Sequence, residues 1–109
     1  MPQRSPEHLA ELFRALADPT RLRLLGLLNA HGPRIGPSNC RAGHCVCVNA
    51  LAHRLGITQS AVSQHLRILR HAGLVRGERA GAFVHYSLNR AALSDYQAAV
   101  LEILGPPRA

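Results

Sequence analysis

The sequence predicts a mainly α-helical fold with one small β-hairpin, with the elements in the order α-α-α-α-β-β-α. The chain has 109 residues, which is the usual length of one domain. Hydrophobic residues make up 47% of it, and leucine and alanine, which favour helices, supply many of them. Apolar residues recur at helical spacing in five segments, whereas two short strand-like runs flank a glycine turn. We therefore expect a single domain over residues 1–109.

The first two helices are predicted to lie within residues 5–30. Ser5 and Asp18 are suitable N-caps, and each is followed by a proline, which is favoured at the first position of a helix. Leucines at helical spacing follow both caps. Residues 31–45 contain several glycines and prolines, so we expect a loop there, and this loop carries most of the cysteines.

A helix-turn-helix is predicted over residues 46–73, and a hairpin is predicted over residues 74–88. We expect one helix from Val46 to Leu55, a turn at the glycine that follows it, and a second helix from Thr58 to Ala72. A last helix is expected over residues 89–104. A helix-turn-helix that is followed by a β-hairpin indicates a winged helix-turn-helix fold.

The charge of the chain favours a polyanionic partner. Thirteen basic residues face six acidic ones, which gives a formal net charge of +7. Nucleic acid is the first partner to consider for such a surface, and the alternative is a basic surface that is merely solvated. Aromatic residues make up 4% of the chain and tryptophan is absent, which argues against a stacking platform for single strands.

The second helix of the helix-turn-helix has the polarity expected of a helix that enters a DNA groove. Val62, Leu66 and Leu69 share one face and are predicted to pack inward. The opposite face carries hydroxyl, amide and guanidinium groups, which suit base edges and phosphates. A generic amphipathic helix is the alternative. The predicted DNA-contacting residues of this helix and of the hairpin are Gln59, Ser60, Ser63, Gln64, His65, Arg67, Arg76, Arg79 and His85.

Three segments resemble the ArsR/SmtB family of metal-responsive winged helix-turn-helix repressors. They are residues 16–25 (LADPTRLRLL), 51–75 (LAHRLGITQSAVSQHLRILRHAGLV) and 77–88 (GERAGAFVHYSL). The resemblance implies a homodimer that binds double-stranded operator DNA and releases it when an inducer binds. It also implies that the first and last helices build the dimer, although their apolar stripes could instead cover the core of the monomer. The expected interface residues are Leu9, Leu12, Phe13, Leu16, Leu93, Tyr96, Val100 and Ile103.

The cysteines predict a site for a soft ion. Three cysteines, Cys40, Cys45 and Cys47, lie within eight positions, and this odd number does not suit a disulfide framework. Three thiolates suit the pyramidal ions As(III) and Sb(III), and they could also hold Cd(II) or Pb(II). Zn(II) would require a fourth ligand, for which His44 is the nearest candidate.

The resemblance supports part of this thiolate set. Cys45 and Cys47 match the thiolate pair of the family's arsenic and cadmium/lead sensors, but Ala50 stands where the arsenic sensors have their third thiol. The role of Cys40 therefore rests on spacing alone. The last helix contains Asp95 without a later histidine, so the interhelical ligand set of the family's zinc and nickel sensors is incomplete.

The sequence thus predicts a DNA-binding repressor that As(III)/Sb(III) or Cd(II)/Pb(II) releases from its operator. The alternatives are a thiol redox or reactive-sulfur sensor, a nickel- or zinc-responsive regulator, inert cysteines, and a protein-binding adaptor. We find no acid–base constellation and no phosphate-binding glycine loop, so an enzyme is not expected. No membrane span or signal peptide is evident, and we expect a cytoplasmic protein without an organic cofactor.

Overall fold

Five helices and an antiparallel sheet form the described part of the chain in a computed structural model, which covers residues 5–31, 46–81 and 83–105. The order confirms the predicted winged helix-turn-helix, with one short strand added. No helix within these ranges combines the length and apolar character of a membrane span. The elements are α1 (Pro6–Leu16), α2 (Pro19–His31), β1 (Val46–Cys47), α3 (Val48–Leu55), α4 (Gln59–His71), β2 (Val75–Ala80), β3 (Phe83–Leu88) and α5 (Arg90–Leu104).

Polar caps start four of the helices where the sequence predicts them. Each cap is a short side chain whose oxygen accepts a hydrogen bond from a backbone N–H in the first turn. The predicted helix starts are therefore fixed by local chemistry. The bonds run from His8 to Ser5 (3.2 Å), from Arg21 to Asp18 (3.0 Å), from Ala61 to Thr58 (3.0 Å) and from Ala92 to Asn89 (3.2 Å).

The predicted start of the third helix at Val46 is wrong by two residues. Val46 and Cys47 form β1, which pairs antiparallel with β3 and places Cys47 opposite His85. Cys47 is the N-cap of α3, with extended backbone angles of φ −88° and ψ 158°. The partner strand lies far along the chain, so helical periodicity could not reveal this pairing. The strand order is β1-β3-β2, which makes β3 the central strand.

One face of α4 packs against the hydrophobic core. Val62, Leu66 and Leu69 are buried, as predicted, and they pack in one cluster with leucines of α1, α2 and α3. The turn between α3 and α4 contains Gly56 at φ +66°, a left-handed conformation that favours glycine. The inner face and this turn together fix the direction in which α4 projects its outer face.

Helix α5 contacts the end of α4 through Tyr96. The hydroxyl of Tyr96 donates a hydrogen bond to the carbonyl oxygen of Ala72, the residue that follows α4. Burial is the main cause that raises the pKa of Tyr96, and the carboxylates of Glu11 and Asp95 raise it further. The hydroxyl therefore stays protonated and remains a donor to the C-terminal end of α4.

The substitution Tyr96→Phe tests this bond. It keeps the ring and leaves the Ala72 carbonyl without its donor, so we expect the free energy of unfolding to fall by about 0.5–1.5 kcal/mol. Urea titration followed by circular dichroism measures the loss. Tyr86→Phe is the matched control, because the described residues provide no hydrogen-bond partner for the hydroxyl of Tyr86. Equal stability of the two variants would contradict the proposed contribution of the bond.

Candidate nucleic-acid interface

The outer face of α4 is polar and exposed. Most exposed residues of this helix carry amide, hydroxyl or guanidinium groups, the exceptions being Ile68 and His71, and no acidic side chain lies in the helix. An α-helix fits the major groove of B-DNA, where such groups pair with base edges and phosphates. The face therefore has the shape and chemistry of a groove-reading helix. The predicted DNA residues on it are Gln59, Ser60, Ser63, Gln64 and Arg67, and all are exposed.

The β2–β3 hairpin forms a basic wing beside α4. Arg76 and Arg79 on β2 are exposed, as expected for side chains that approach a DNA backbone. The guanidinium of Arg76 donates to Asn89 Oδ1 at 3.3 Å, which ties the base of the wing to the start of α5. A Cβ at Gly77 would lie 3.1 Å from the ring of Tyr86 and 3.3 Å from the side chain of Val84, so the glycine lets these two β3 side chains lie close to β2.

The two histidines predicted to contact DNA face the protein instead. The side chain of His65 is 22% exposed, and its Nδ1 lies 3.3 Å from an Arg21 nitrogen and 3.9 Å from Asp18 Oδ2. His65 follows Val62 by three residues and precedes Leu69 by four, so helical spacing puts it beside the inner stripe. His85 is 6% exposed because it lies on the central strand of the sheet. Neither side chain belongs to the exposed polar face.

Arg21 joins three helices at one corner, and the sequence did not reveal this role. Its guanidinium donates to the carbonyl oxygens of Ala15 and Arg14 near the end of α1 and lies against His65 of α4. Its backbone N–H bonds to Asp18 and is the main cause that lowers the pKa of that carboxyl. Because the pKa of Asp18 is lower in the folded than in the unfolded protein, its carboxylate stabilises the fold at pH values above its unfolded pKa of about 3.9. This contribution to stability is lost as the pH falls through the pKa that Asp18 has in the folded protein.

Cys47 is the part of the predicted thiolate set that lies within the described residues. It is 6% exposed, ends β1 and is the N-cap of α3. Cys40, His44 and Cys45 lie outside the described ranges. Within those ranges, no three His, Cys, Asp or Glu side chains are grouped so that they could hold one metal ion.

Comparisons with known proteins agree with this geometry. A helix-turn-helix domain family matches residues 16–78. The chain is 44% identical over 82 residues to a transcriptional repressor SmtB homolog of Synechocystis sp., covering 75% of this chain and 52% of that protein. It is 35% identical over 78 residues to an arsenic resistance transcriptional regulator of Pseudomonas putida, covering 72% of this chain and 52% of that protein. The chain thus spans about half the length of these curated relatives.

A solved ArsR-like transcriptional regulator from Rhodococcus sp. RHA1 has the same fold. It superposes with a TM-score of 0.68 and 30% sequence identity, over 91% of this chain and 80% of that one. The chain belongs to the ArsR/SmtB family. The matched relatives and structures of this family are transcriptional regulators, which agrees with the expectation that the chain is not an enzyme.

The residues expected at an ArsR/SmtB dimer interface divide into three groups, which are buried, exposed and half-buried in the single chain. Leu9 and Leu12 are 3% exposed and belong to the core of the single chain, so they offer little surface to a partner. Phe13 and Ile103 are 50% and 52% exposed. Leu16, Leu93, Tyr96 and Val100 are half-buried and line a groove of about 470 Å³ between α1 and α5. Leu101 and Leu104 of α5 are exposed as well and add to the residues that the sequence predicts for the interface.

Proposed function

We propose that this chain is a homodimeric repressor that binds duplex operator DNA through α4 and the wing, and that a thiophilic ion bound by cysteine thiolates releases it. The observation that carries the DNA part is the outer face of α4. Its polar side chains are exposed together, while Val62, Leu66 and Leu69 anchor the opposite face. The relative that is named a transcriptional repressor supports the same role.

The proposed contacts with DNA fall into two kinds. Gln59, the first residue of α4, and the exposed Ser60, Ser63 and Gln64 would enter the major groove of DNA, where their polar groups suit base edges. The guanidinium groups of the wing suit phosphates, which supply affinity with little sequence preference. His65 and His85 are not part of this interface, because their side chains face the protein.

The proposed ion site comprises Cys45 and Cys47, with Cys40 as the third thiolate. Soft thiolate ligands favour As(III), Sb(III), Cd(II) or Pb(II) over harder ions. The name of the Pseudomonas putida relative, an arsenic resistance regulator, supports As(III) as the first inducer to test. Sb(III) follows it, because three thiolates suit both pyramidal ions. Zn(II) would add His44 as a fourth ligand.

The exposed apolar face of α1 and α5 supports a dimer. Phe13, Leu101 and Ile103 are each about half exposed, and they form one apolar face with the groove between the two helices. A contiguous apolar patch of this kind usually marks an interaction surface. A second copy of the chain would cover it and would place two α4 helices at a fixed spacing, as a two-fold operator requires.

The substitution Phe13→Ala tests the dimer. We expect it to raise the dissociation constant of the dimer about fivefold or more, because buried aromatic side chains commonly contribute over 1 kcal/mol to an interface. Sedimentation equilibrium measures this constant. Leu22→Ala is the matched control, since Leu22 is 53% exposed on α2 and does not line the groove. Equal constants for both variants, or a monomeric wild-type chain, would contradict the proposed interface.

Duplex binding itself is tested by fluorescence anisotropy on a site selected from a random-sequence pool. The proposal predicts that affinity falls steeply as salt rises, because each phosphate contact contributes about 0.9 to the slope of log affinity against log salt. Weak binding without salt dependence would instead support a protein-binding adaptor.

A further inference from the structure

One side-chain hydrogen bond joins α3 to the DNA-facing end of α4. Gln59 Nε2 donates to Asn49 Oδ1 at 2.6 Å, and both residues are exposed. Gln59 is the first residue of α4, where a recognition helix usually meets base edges. Asn49 is the second residue of α3 and follows Cys47 by two positions. The bond therefore connects the turn that carries a proposed ion ligand with a side chain proposed to touch DNA.

We propose that Asn49 is a positioning residue that couples the ion site to DNA binding. In the ion-free protein, its Oδ1 holds the amide of Gln59 in the orientation that binds DNA. When an ion binds at Cys47, the first turn of α3 moves and the amide of Gln59 is released. This inference rests on the proposed function, since it takes Cys47 as a ligand of the inducing ion.

With this bond formed, the side-chain amide of Gln59 can still bind the edge of a base. A glutamine amide has two N–H donors and one carbonyl acceptor. Asn49 takes one donor, so the other N–H and the carbonyl oxygen of Gln59 remain available as a donor–acceptor pair. Such a pair matches the edges of bases in the major groove. Because the side chain is already held, binding has less conformational entropy to lose.

The position of Cys47 explains why ion binding would move Asn49. Cys47 is 6% exposed, its backbone pairs with β3, and its side chain makes no capping bond to α3. An ion with further ligands around it requires more space than a packed thiol offers, so the residue must shift to coordinate it. Asn49 lies in the same turn, and a shift that lengthens the contact of 2.6 Å by about an ångström breaks the hydrogen bond.

Asn49→Ala tests the coupling in the full-length reduced protein. DNA affinity is measured with and without Cd(II), and the thiolate-to-cadmium absorption band counts the bound ion. We expect unchanged cadmium stoichiometry and an ion-free DNA affinity that is about two- to tenfold lower, the range expected for one lost hydrogen bond. The cadmium-induced loss of affinity should shrink by the same factor, because the ion-bound state has already lost this bond.

Two further variants separate positioning from general damage. Asn49→Asp keeps an acceptor oxygen and should restore the wild-type ratio of affinities with and without Cd(II). His53→Ala removes an exposed side chain one turn further along α3 and should leave that ratio unchanged. In a Gln59→Ala background, Asn49→Ala should cause no additional loss of affinity, since its hydrogen-bond partner is gone.

The possible results separate the coupling role of Asn49 from the proposed function as an ion-released repressor. If the wild-type protein responds to Cd(II) and Asn49→Ala responds equally, the coupling role is wrong and the proposed function stands. A wild-type protein that binds DNA but responds neither to Cd(II) nor to arsenite contradicts both. An effect of Asn49→Ala that persists without Gln59 shows that Asn49 acts through another contact, contrary to the inference.

Discussion

Replacing Arg67 with alanine is expected to weaken duplex binding by about 1–3 kcal/mol, or roughly five- to 150-fold. Arg67 is exposed on the outer face of α4, two turns beyond its first residue. In the proposed complex its guanidinium would reach either a phosphate or a guanine edge. A phosphate contact predicts a loss on all sequences and a salt slope that is lower by about 1, whereas a base contact predicts relaxed sequence preference at one position. Anisotropy titrations at several salt concentrations measure both quantities.

Arg23→Ala is the matched control for this experiment. Arg23 is also exposed, but it lies two residues from Arg21 on α2, and two residues correspond to more than half a helical turn. Since Arg21 faces α4, the side chain of Arg23 projects away from it. Both variants lose one positive charge, so a difference between their duplex affinities reports a local contact of Arg67 and not the change in net charge. Equal affinities for the two variants would contradict the assignment of the α4 outer face to DNA.

Replacing Cys45 and Cys47 together with serine is expected to abolish the response to the inducing ion. A typical coupling free energy of about 1–3 kcal/mol corresponds to a change of roughly five- to 150-fold in operator affinity, and the variant should retain almost none of it. Serine is a poor ligand for soft ions. The variant should still fold, because position 47 is the N-cap of α3 and serine is favoured there.

The ion-free operator affinity of this double variant is its internal control. It should match that of the wild-type protein, because both substituted positions lie outside the residue ranges of α4, β2 and β3. A separate Cys40→Ser variant tests the third thiolate and should weaken ion binding while leaving ion-free DNA binding unchanged. A double variant that still releases DNA on addition of the ion would contradict the proposed site.

The parts of this fold that depend on local chemistry could be predicted from the sequence. Helix starts follow from Ser5, Thr58 and Asn89 because a cap bonds within its own first turn. The inner face of α4 follows from the spacing of its apolar residues. The same spacing puts His65 beside that face, whereas its place on a recognition helix favours a DNA contact; in the structure its ring lies against Asp18 and Arg21.

The features that the sequence did not reveal depend on contacts between distant segments. The pairing of β1 with β3, which makes Cys47 part of a strand, joins residues far apart in the chain. The bond between Asn49 and Gln59 and the contact of Arg21 with His65 join separate helices. Likewise, an apolar stripe on α1 does not reveal which of its leucines the chain covers itself, and Leu9 and Leu12 prove to be core residues.

We propose that one protein binds both duplex DNA and a thiophilic ion, and that the ion weakens the DNA complex. The most direct measurement is an anisotropy titration of the operator complex, with protein reduced by a phosphine so that no added thiol competes for the ion. Arsenite, antimonite, Cd(II) and Pb(II) are added in turn, and free thiols are counted in parallel. We expect at least one ion to lower operator affinity by about tenfold or more as thiols are consumed. Unchanged affinity with every ion, in protein that binds the operator and retains its free thiols, would contradict it.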